Sequence, residues 1–403
     1  MTRAFSPCAM CEHGLKAHVT MEMPEIRPIK LMIVIVDLAT GTGAFVRDLA
    51  SGLRRFHREQ FDVTLVTFRD QPLSEADRSC FDQVHSLGMS IRESWRQMVE
   101  LPIAVGRLRA AIRDFQPDVL LGVHTFSNLT SSMAGDGIPV ILTDHLNLSQ
   151  RQAARGVGLA MRWMLRRMYR RRSVVGVSQA IVDDLRKNFG ATQSTAILNG
   201  VDVERIRAAA QEPVSVDLPE KYIVAVGRLA PQKDVPTLLK AHSIARQAGF
   251  LEHLVLVGDG PERSNLQELA HSLGTQDVVH FVGQQANPFP FMKRARFLAL
   301  SSVYEGFGLV LAEAMALGVP CLSTDCPSGP AEILGNGQFG LLVPVQDPEK
   351  LAAAMLRLGG DPALAERLSA QSVARAEQLS SCQMAQEYRD LIVRQLQTSQ
   401  SSE

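Results

Sequence analysis

No stretch of this 403-residue chain approaches the ~20 consecutive apolar residues that a membrane-spanning helix requires. The first 28 residues lack the apolar core of a secretory signal. Cysteine is scarce. Cys8, Cys11, Cys80, Cys321, Cys326 and Cys382 are too few to scaffold a chain of this length, so a reducing, cytoplasmic setting is expected. Net charge is absent too: 42 Lys and Arg balance 42 Asp and Glu, which argues against a nucleic-acid partner. What remains, 46% hydrophobic and 21% charged residues, is ordinary globular composition. At about 150 residues per domain, the length predicts two or three domains.

The zero balance hides an asymmetry. Residues 1–203 carry 25 Lys and Arg against 20 Asp and Glu, whereas residues 204–403 carry 17 against 22. The basic half is the candidate for an anionic partner. From residue 29 short apolar runs alternate with helix-period segments. The runs are Ile29–Val36, Phe61–Thr67, Asp118–Val123, Val140–Thr143 and Val174–Val177; the helical segments include Ala44–Phe56 and Ile103–Phe115. Continuous apolar runs between helices mark buried parallel strands. A polar stretch, Ala208 to Glu220, holds Pro213 and Pro219. The alternation then restarts with Tyr222–Val226, Leu254–Val257, Val278–Phe281 and Phe297–Leu300.

The expected fold class is therefore α/β, with two doubly wound parallel-sheet domains facing across a cleft. The expected parts are an extension at 1–28, a first domain at 29–203, a linker at 204–214, a second domain at 215–381 and a C-terminal helix within 382–403 whose end frays. In the extension, Cys8, Cys11, His13 and His18 are potential zinc ligands, but their intervals are too short for a usual zinc module. A disordered extension, or a start near Met21 or Met23, accounts for them as well.

Two stretches carry candidate chemistry. Glu305 and Glu313, seven residues apart, flank Gly306 and Gly308 between a strand and a helix. A Gly-rich turn lets backbone N–H groups approach a phosphate, and a helix N-terminus favours its charge. Glu305 on the turn could accept hydrogen bonds from sugar hydroxyls, and Glu313 from a ribose. Alone, such a pair is usually a solvated face; the apolar run around Glu313 argues otherwise. Arg228 and Lys233 follow the first strand of the second domain. A guanidinium fork and an ammonium there could stabilise charge growing on a departing diphosphate, although cations at a strand end are more often plain surface charge.

Together, Gly227-Arg-Leu-x3-Lys233 and Glu305-Gly-Phe-Gly-x4-Glu313 resemble the retaining, two-Rossmann-domain (GT-B) glycosyltransferases of family four. Val177-Ser178, Asn199-Gly-Val-Asp202, Val257-Gly-Asp-Gly-Pro-Glu262 and Asp325-Cys-Pro-Ser-Gly-Pro330 agree in the same order, so the resemblance runs from about residue 30 to the C-terminus. It implies that Arg228 and Lys233 grip the donor diphosphate and that Glu313 binds the ribose. Glu305, Phe307, Gly308 and Leu309 would form the turn holding donor sugar and phosphate, and Gly283 and Gln284 would cradle the base. It further implies a last helix that crosses back to the first domain. Neither metal nor cofactor is implied, and the sequence holds no Asp-x-Asp.

The first domain departs from the family. A Gly-Gly loop after the first strand is replaced by Gly41-Thr42-Gly43, with sugar or phosphate approach expected at Gly43. Of two strand-end histidines, His145 in Thr143-Asp144-His145 matches the family's active-site histidine better than His124, though a lone strand-end histidine is more often structural. Residues 150–172 hold eight arginines, no acid and several apolar residues, including Trp163. Such a helix either lies on an anionic membrane surface or packs its apolar side inward and solvates its arginines.

The resemblance implies transfer, with retention, of a hexose or N-acetylhexosamine from a nucleotide diphosphate donor, a UDP-sugar. The acceptor would be a glycan or lipid-linked molecule in cell-envelope synthesis, at the inner face of the cytoplasmic membrane. A GT-B sugar-nucleotide epimerase and a non-catalytic nucleotide-sugar-binding scaffold are the competing readings.

Overall fold

The computed structural model describes residues 27–38, 41–90, 96–149, 159–214 and 216–400. Two wholly parallel sheets organise them. The first contains β1 (Ile29–Ile35), β2 (Phe61–Thr67), β3 (Gln83–Ser86), β4 (Val119–Val123), β5 (Val140–Asp144), β6 (Ser173–Gly176) and β7 (Ser194–Ala196), in the order β3-β2-β1-β4-β5-β6-β7. The second contains β8 (Tyr222–Val226), β9 (His253–Val257), β10 (Val279–Gly283), β11 (Leu298–Leu300), β12 (Cys321–Thr324) and β13 (Leu341–Val343), in the order β10-β9-β8-β11-β12-β13. Each order reverses beside its first strand, at β1/β4 and at β8/β11. That is the switch point at which open α/β sheets bind ligands.

Helices cover both faces of the first sheet, which is why its strands read as unbroken apolar runs. Leu31, Ile33 and Ile35 of β1 pack on Phe45, Val46 and Leu49 of the Gly41–Phe56 helix. Met32 and Val34 point the other way, toward Leu108 of the Arg96–Phe115 helix. The strands that the apolar runs do not predict, β3, β7, β12 and β13, have only three or four residues each. Pairing with a longer neighbour defines them.

The stretch expected to be a linker is partly a helix. Val203–Ala209 is helical because the Asp202 carboxylate accepts from Arg205 N at 3.0 Å, capping its start, while Val203 and Ile206 are buried. The chain crosses between domains twice, and the crossings touch. Val201 N donates to Leu379 O at 2.8 Å, and Ser381 N donates to Val201 O at 2.9 Å. A Cβ on Gly200 would stand 2.3 Å from Ser380 O.

After the second crossing, the last helix runs from Ser381 to Gln400, the end of the described residues. It buries Met384, Tyr388 and Ile392 in the core of the first domain. Gly52 admits it: a Cβ there would lie 2.7 Å from Ser381 O and 2.9 Å from the Ala385 Cβ. Gly52→Val should therefore lower the urea midpoint, at an overpacking cost of about 1–3 kcal/mol. Gly106→Ala, in a helix position where an added Cβ meets nothing within 4 Å, should raise it by the smaller gain of about 0.4–1 kcal/mol.

Candidate active site

The site begins where β8, β9 and β10 end. Gly227 N donates to Val257 O at 2.9 Å and Gly258 N to Gly283 O at 2.8 Å. The backbones are so close that a Cβ on Gly258 would sit 1.9 Å from Gly227 O. Gly283 has a φ of +74°, so its peptide shapes the edge of this floor. Gln284 beside it is exposed.

Arg228 leaves this floor exposed, with no hydrogen bond or ion pair among the described residues. Lys233 ends the short Pro231–Lys233 turn, and its Nζ lies 2.6 Å from Glu305 Oε1. Ser302 Oγ donates to the same oxygen at 2.6 Å. The two loops are joined further by Ser301 Oγ to Lys233 O at 2.7 Å and Gln232 Nε2 to Tyr304 O at 2.9 Å. Glu305 is 7% exposed. Its charge is affordable there because an ammonium and a hydroxyl satisfy it.

After Glu305 the chain passes through Phe307, buried in the core, and Gly308 at φ +92°, into the Leu309–Ala316 helix. The left-handed Gly308 is what allows the strand-to-helix reversal. The Phe307 side chain packs into the core and anchors the turn. Leu309 is half-buried at the first helical position.

Glu313 lies one turn on. Burial pushes its carboxyl up to about 7, the Asp48 carboxylate adds to the rise, and Arg205 and Lys233 oppose it. Asp48 belongs to the first domain's Gly41–Phe56 helix. It is 5% exposed, with Arg205 Nη2 at 3.3 Å, and burial lifts it to about 6. Asp48 and Arg205 were not among the residues expected at the site. The available signal was one acid within the buried run Phe45, Val46, Asp48, Leu49.

The first domain meets this cluster through β5. His145 follows it, with its ring 4.4 Å from that of Phe45 in an edge contact and Thr143 Oγ1 3.4 Å from its Nε2. Burial, with His124 assisting, holds its imidazole well below the usual range, so it is neutral at pH 7. The His124 ring stands 5.9 Å away. His124 has a φ of +76°, a strained conformation of the kind found at functional sites. Both candidate histidines thus share one corner. A Cβ on Gly306 would lie 1.7 Å from His145 O, so the donor-side turn and the histidine strand touch across the domain boundary.

Glu332 makes a second contact across that boundary. Its carboxylate accepts from Gln179 N at 2.8 Å and Ala180 N at 3.2 Å. These are N-terminal amides of the first-domain Gln179–Asp184 helix. Gly43, expected where sugar or phosphate approaches, is buried in the first helical turn after β1. Its Cβ position is 2.1 Å from Leu38 O, so its missing side chain serves the local packing of the turn. Gly41 is exposed, and an added Cβ there would meet nothing within 4 Å among the described residues.

Among the described residues no group of three His, Cys, Asp or Glu could hold a metal, and no helix is long and apolar enough to cross a membrane. Cys8, Cys11, His13 and His18 lie outside the described residues, as do residues 150–158 of the basic stretch. The remainder forms the Leu159–Tyr169 helix. Leu165, Met168 and Tyr169 are buried, while Arg162, Arg166, Arg167 and a 66%-exposed Trp163 face outward. The Arg167 guanidinium lies over the Trp163 ring at 5.9 Å.

Two doubly wound domains that present their strand ends to each other, with a glycine floor, a Lys–Glu pair and a histidine corner between them, define a protein of the GT-B class. Residues 39–205 match the family model described as Glycosyltransferase Family 4, and residues 207–375 match that of Glycosyl transferases group 1. The chain belongs to this glycosyltransferase family. It is 30% identical over 212 residues to a Campylobacter jejuni N-acetylgalactosamine-N,N'-diacetylbacillosaminyl-diphospho-undecaprenol 4-alpha-N-acetylgalactosaminyltransferase, covering 52% of this chain and 57% of that protein. The chain therefore spans little more than half the length of that relative. It is 27% identical over 318 residues to the Escherichia coli lipopolysaccharide 1,6-galactosyltransferase, covering 72% and 81%. The structure of Anabaena HepE in complex with UDP and glucose shares the fold, with a TM-score of 0.72, 19% identity, and coverage of 91% of this chain and 100% of that one.

Glu313 yields a pH test. Its folded pKa is raised, so its contribution to stability is complete below the unfolded carboxyl value, near 4.5, and is lost as pH rises through about 7. Asp48 acts in the same direction through about 6. Glu313→Gln should therefore raise the Tm of the ligand-free protein at pH 8 and leave it unchanged at pH 4. An equal shift at both would show that the carboxyl charge is not what destabilises.

Proposed function

We propose that this protein moves a hexose or N-acetylhexosamine from a UDP-sugar to a glycan or lipid-linked acceptor of the cell envelope, with retention and without metal. The observation that carries the reading is the exposed Arg228 beside the Lys233–Glu305 pair and the Gly308 turn, opposite His145. The UDP and glucose in the Anabaena structure support a uridine donor. The names of the Campylobacter and E. coli relatives support envelope acceptors.

Chemically, the glycosidic C–O bond to the diphosphate breaks and negative charge gathers on the leaving oxygen. Arg228, Lys233 and the Gly308 turn stabilise that charge more in the transition state than in the bound donor. Glu313 accepts from the ribose, and the edge at Gly283 and Gln284 lies beside the base. Retention by double displacement needs a free carboxylate nucleophile, and one oxygen of Glu305 is already held by Lys233 and Ser302. The favoured route is same-face attack: the acceptor oxygen bonds to the anomeric carbon, and its proton passes to the departing phosphate. His145, neutral and wedged on Phe45, positions sugar and acceptor.

Product NMR and a panel of UDP-, GDP- and ADP-sugars test the reading. The expected outcome is an anomeric configuration equal to the donor's and a rate indifferent to chelator; an inverted product overturns it. Arg228→Ala and Lys233→Ala should each cut turnover by ~10²-fold or more. The two differ in stability. Arg228→Ala leaves the Tm unchanged, because Arg228 pairs with nothing described. Lys233→Ala lowers it, because the buried Glu305 side chain loses its ion-pair partner.

The outward face of the Leu159–Tyr169 helix fits a peripheral site on an anionic membrane, with Trp163 at headgroup level and the arginines on lipid phosphates. Such a site would place the protein on the inner face of the cytoplasmic membrane. The protein should then sediment with anionic vesicles at low salt and release as salt rises. Replacing Arg166, Arg167, Arg170 and Arg171 with Gln, or Trp163 with Ala, should weaken that binding. Failure of the parent to sediment at low salt assigns these arginines to a solvated surface.

A further inference from the structure

The Asp325–Pro330 segment has no role in the site as described so far, yet it lies directly beneath the turn that holds Glu305. Glu305 N points to Pro327 O at 3.5 Å. Gly329 presses on the next peptide, where a Cβ would stand 1.9 Å from Phe307 O. Ser328 lies between these two contacts. Its backbone has a φ of +67°, a left-handed conformation that disfavours a side chain. The residue is 6% exposed, and its hydroxyl has no hydrogen-bond partner among the described residues.

Each of these facts is unfavourable for a residue whose only duty is to form a turn. Glycine would adopt the same backbone without strain and would bury no hydroxyl. Other unpartnered buried hydroxyls among the described residues are those of Ser127, Ser131, Ser372 and Tyr388, inside helices, and Thr125, at a helix start; the three serines can rotate to a carbonyl one turn back. Ser328, in a loop, has no such carbonyl. A strained residue with an unmet polar group, held against a ligand-binding turn, is a group kept for a ligand.

We propose that Ser328 is a donor-binding residue, and that its hydroxyl takes a hydrogen bond with a hydroxyl of the transferred sugar, on the side of that sugar opposite the acceptor. The sugar is favoured over the diphosphate because Ser328 underlies the Glu305 end of the turn, and Arg228 and Lys233 already supply two cations for the phosphates. Binding the sugar would give the Ser328 hydroxyl the partner it lacks in the ligand-free protein. The residue would thereby discriminate among sugars by the presence and orientation of one hydroxyl.

The inference rests on the donor-site reading above. The probes are the UDP-sugar that the parent enzyme turns over and UDP alone, tested on Ser328→Ala and Ser328→Gly. Both variants should raise the KM for the UDP-sugar about threefold to tenfold, the loss expected for one neutral hydrogen bond, with UDP affinity unchanged. Ser328→Gly should also raise the Tm of the ligand-free protein above that of Ser328→Ala, because it relieves the positive φ. Parent-like KM in both variants overturns the proposal, as does an equal loss of UDP and UDP-sugar binding. Failure of the parent to bind or turn over any nucleotide-sugar would instead count against the donor-site reading, and the Tm comparison would still test the strain at Ser328.

Discussion

Closeness of backbone to backbone is the constraint on which this site depends. Gly258 against Gly227, Gly306 against His145 and Gly329 against Phe307 are positions where a single added carbon would fall within 2 Å of a carbonyl oxygen. Atoms that near cannot coexist, so each residue is fixed by exclusion, whatever its own conformational preference. Parallel sheets end in loops, and loops ordinarily stand apart. Here they are stacked until their peptide groups form one surface, within one domain and then across two.

Such a surface is short of water, and its charges are arranged accordingly. Glu305 has Lys233 and Ser302 sharing one of its oxygens. Burial shifts Glu313 and Asp48 toward the neutral form, more than Arg205, Lys233 and Arg47 oppose. His145, buried and with a histidine for neighbour, is held toward its neutral form. The ligand-free site thus combines one fully compensated carboxylate with two under-compensated ones. A ligand that offers hydroxyl donors would find acceptors already desolvated.

Much of this was legible in the residues. The longer strands could be read because burial on both faces leaves an unbroken apolar signature, as in β1 and β2. Arg228, Lys233, Glu305 and Glu313 could be read because they lie at fixed distances along single strand–turn–helix units. What could not be read depended on contacts between distant segments. Val203–Ala209 is polar enough to pass for a linker, and becomes helical through the Asp202 cap and burial against the second domain. That Gly43 rather than Gly41 is crowded depends on the path of Leu38, which the spacing of the two glycines does not reveal. Asp48 and Glu332 act on the opposite domain, about which local spacing carries no information.

The two passages of the chain between domains, at Val201 and at Ser380, are hydrogen-bonded to each other. Two domains tied at separate points would be locked, and tied at one point they could swivel freely. Joined where the two passages pair through one parallel bridge, they share a single narrow neck of backbone. Whatever enters or leaves the cleft must do so through the opening and shutting of a book whose spine is these few peptides, and the facing pages return to the same register each time.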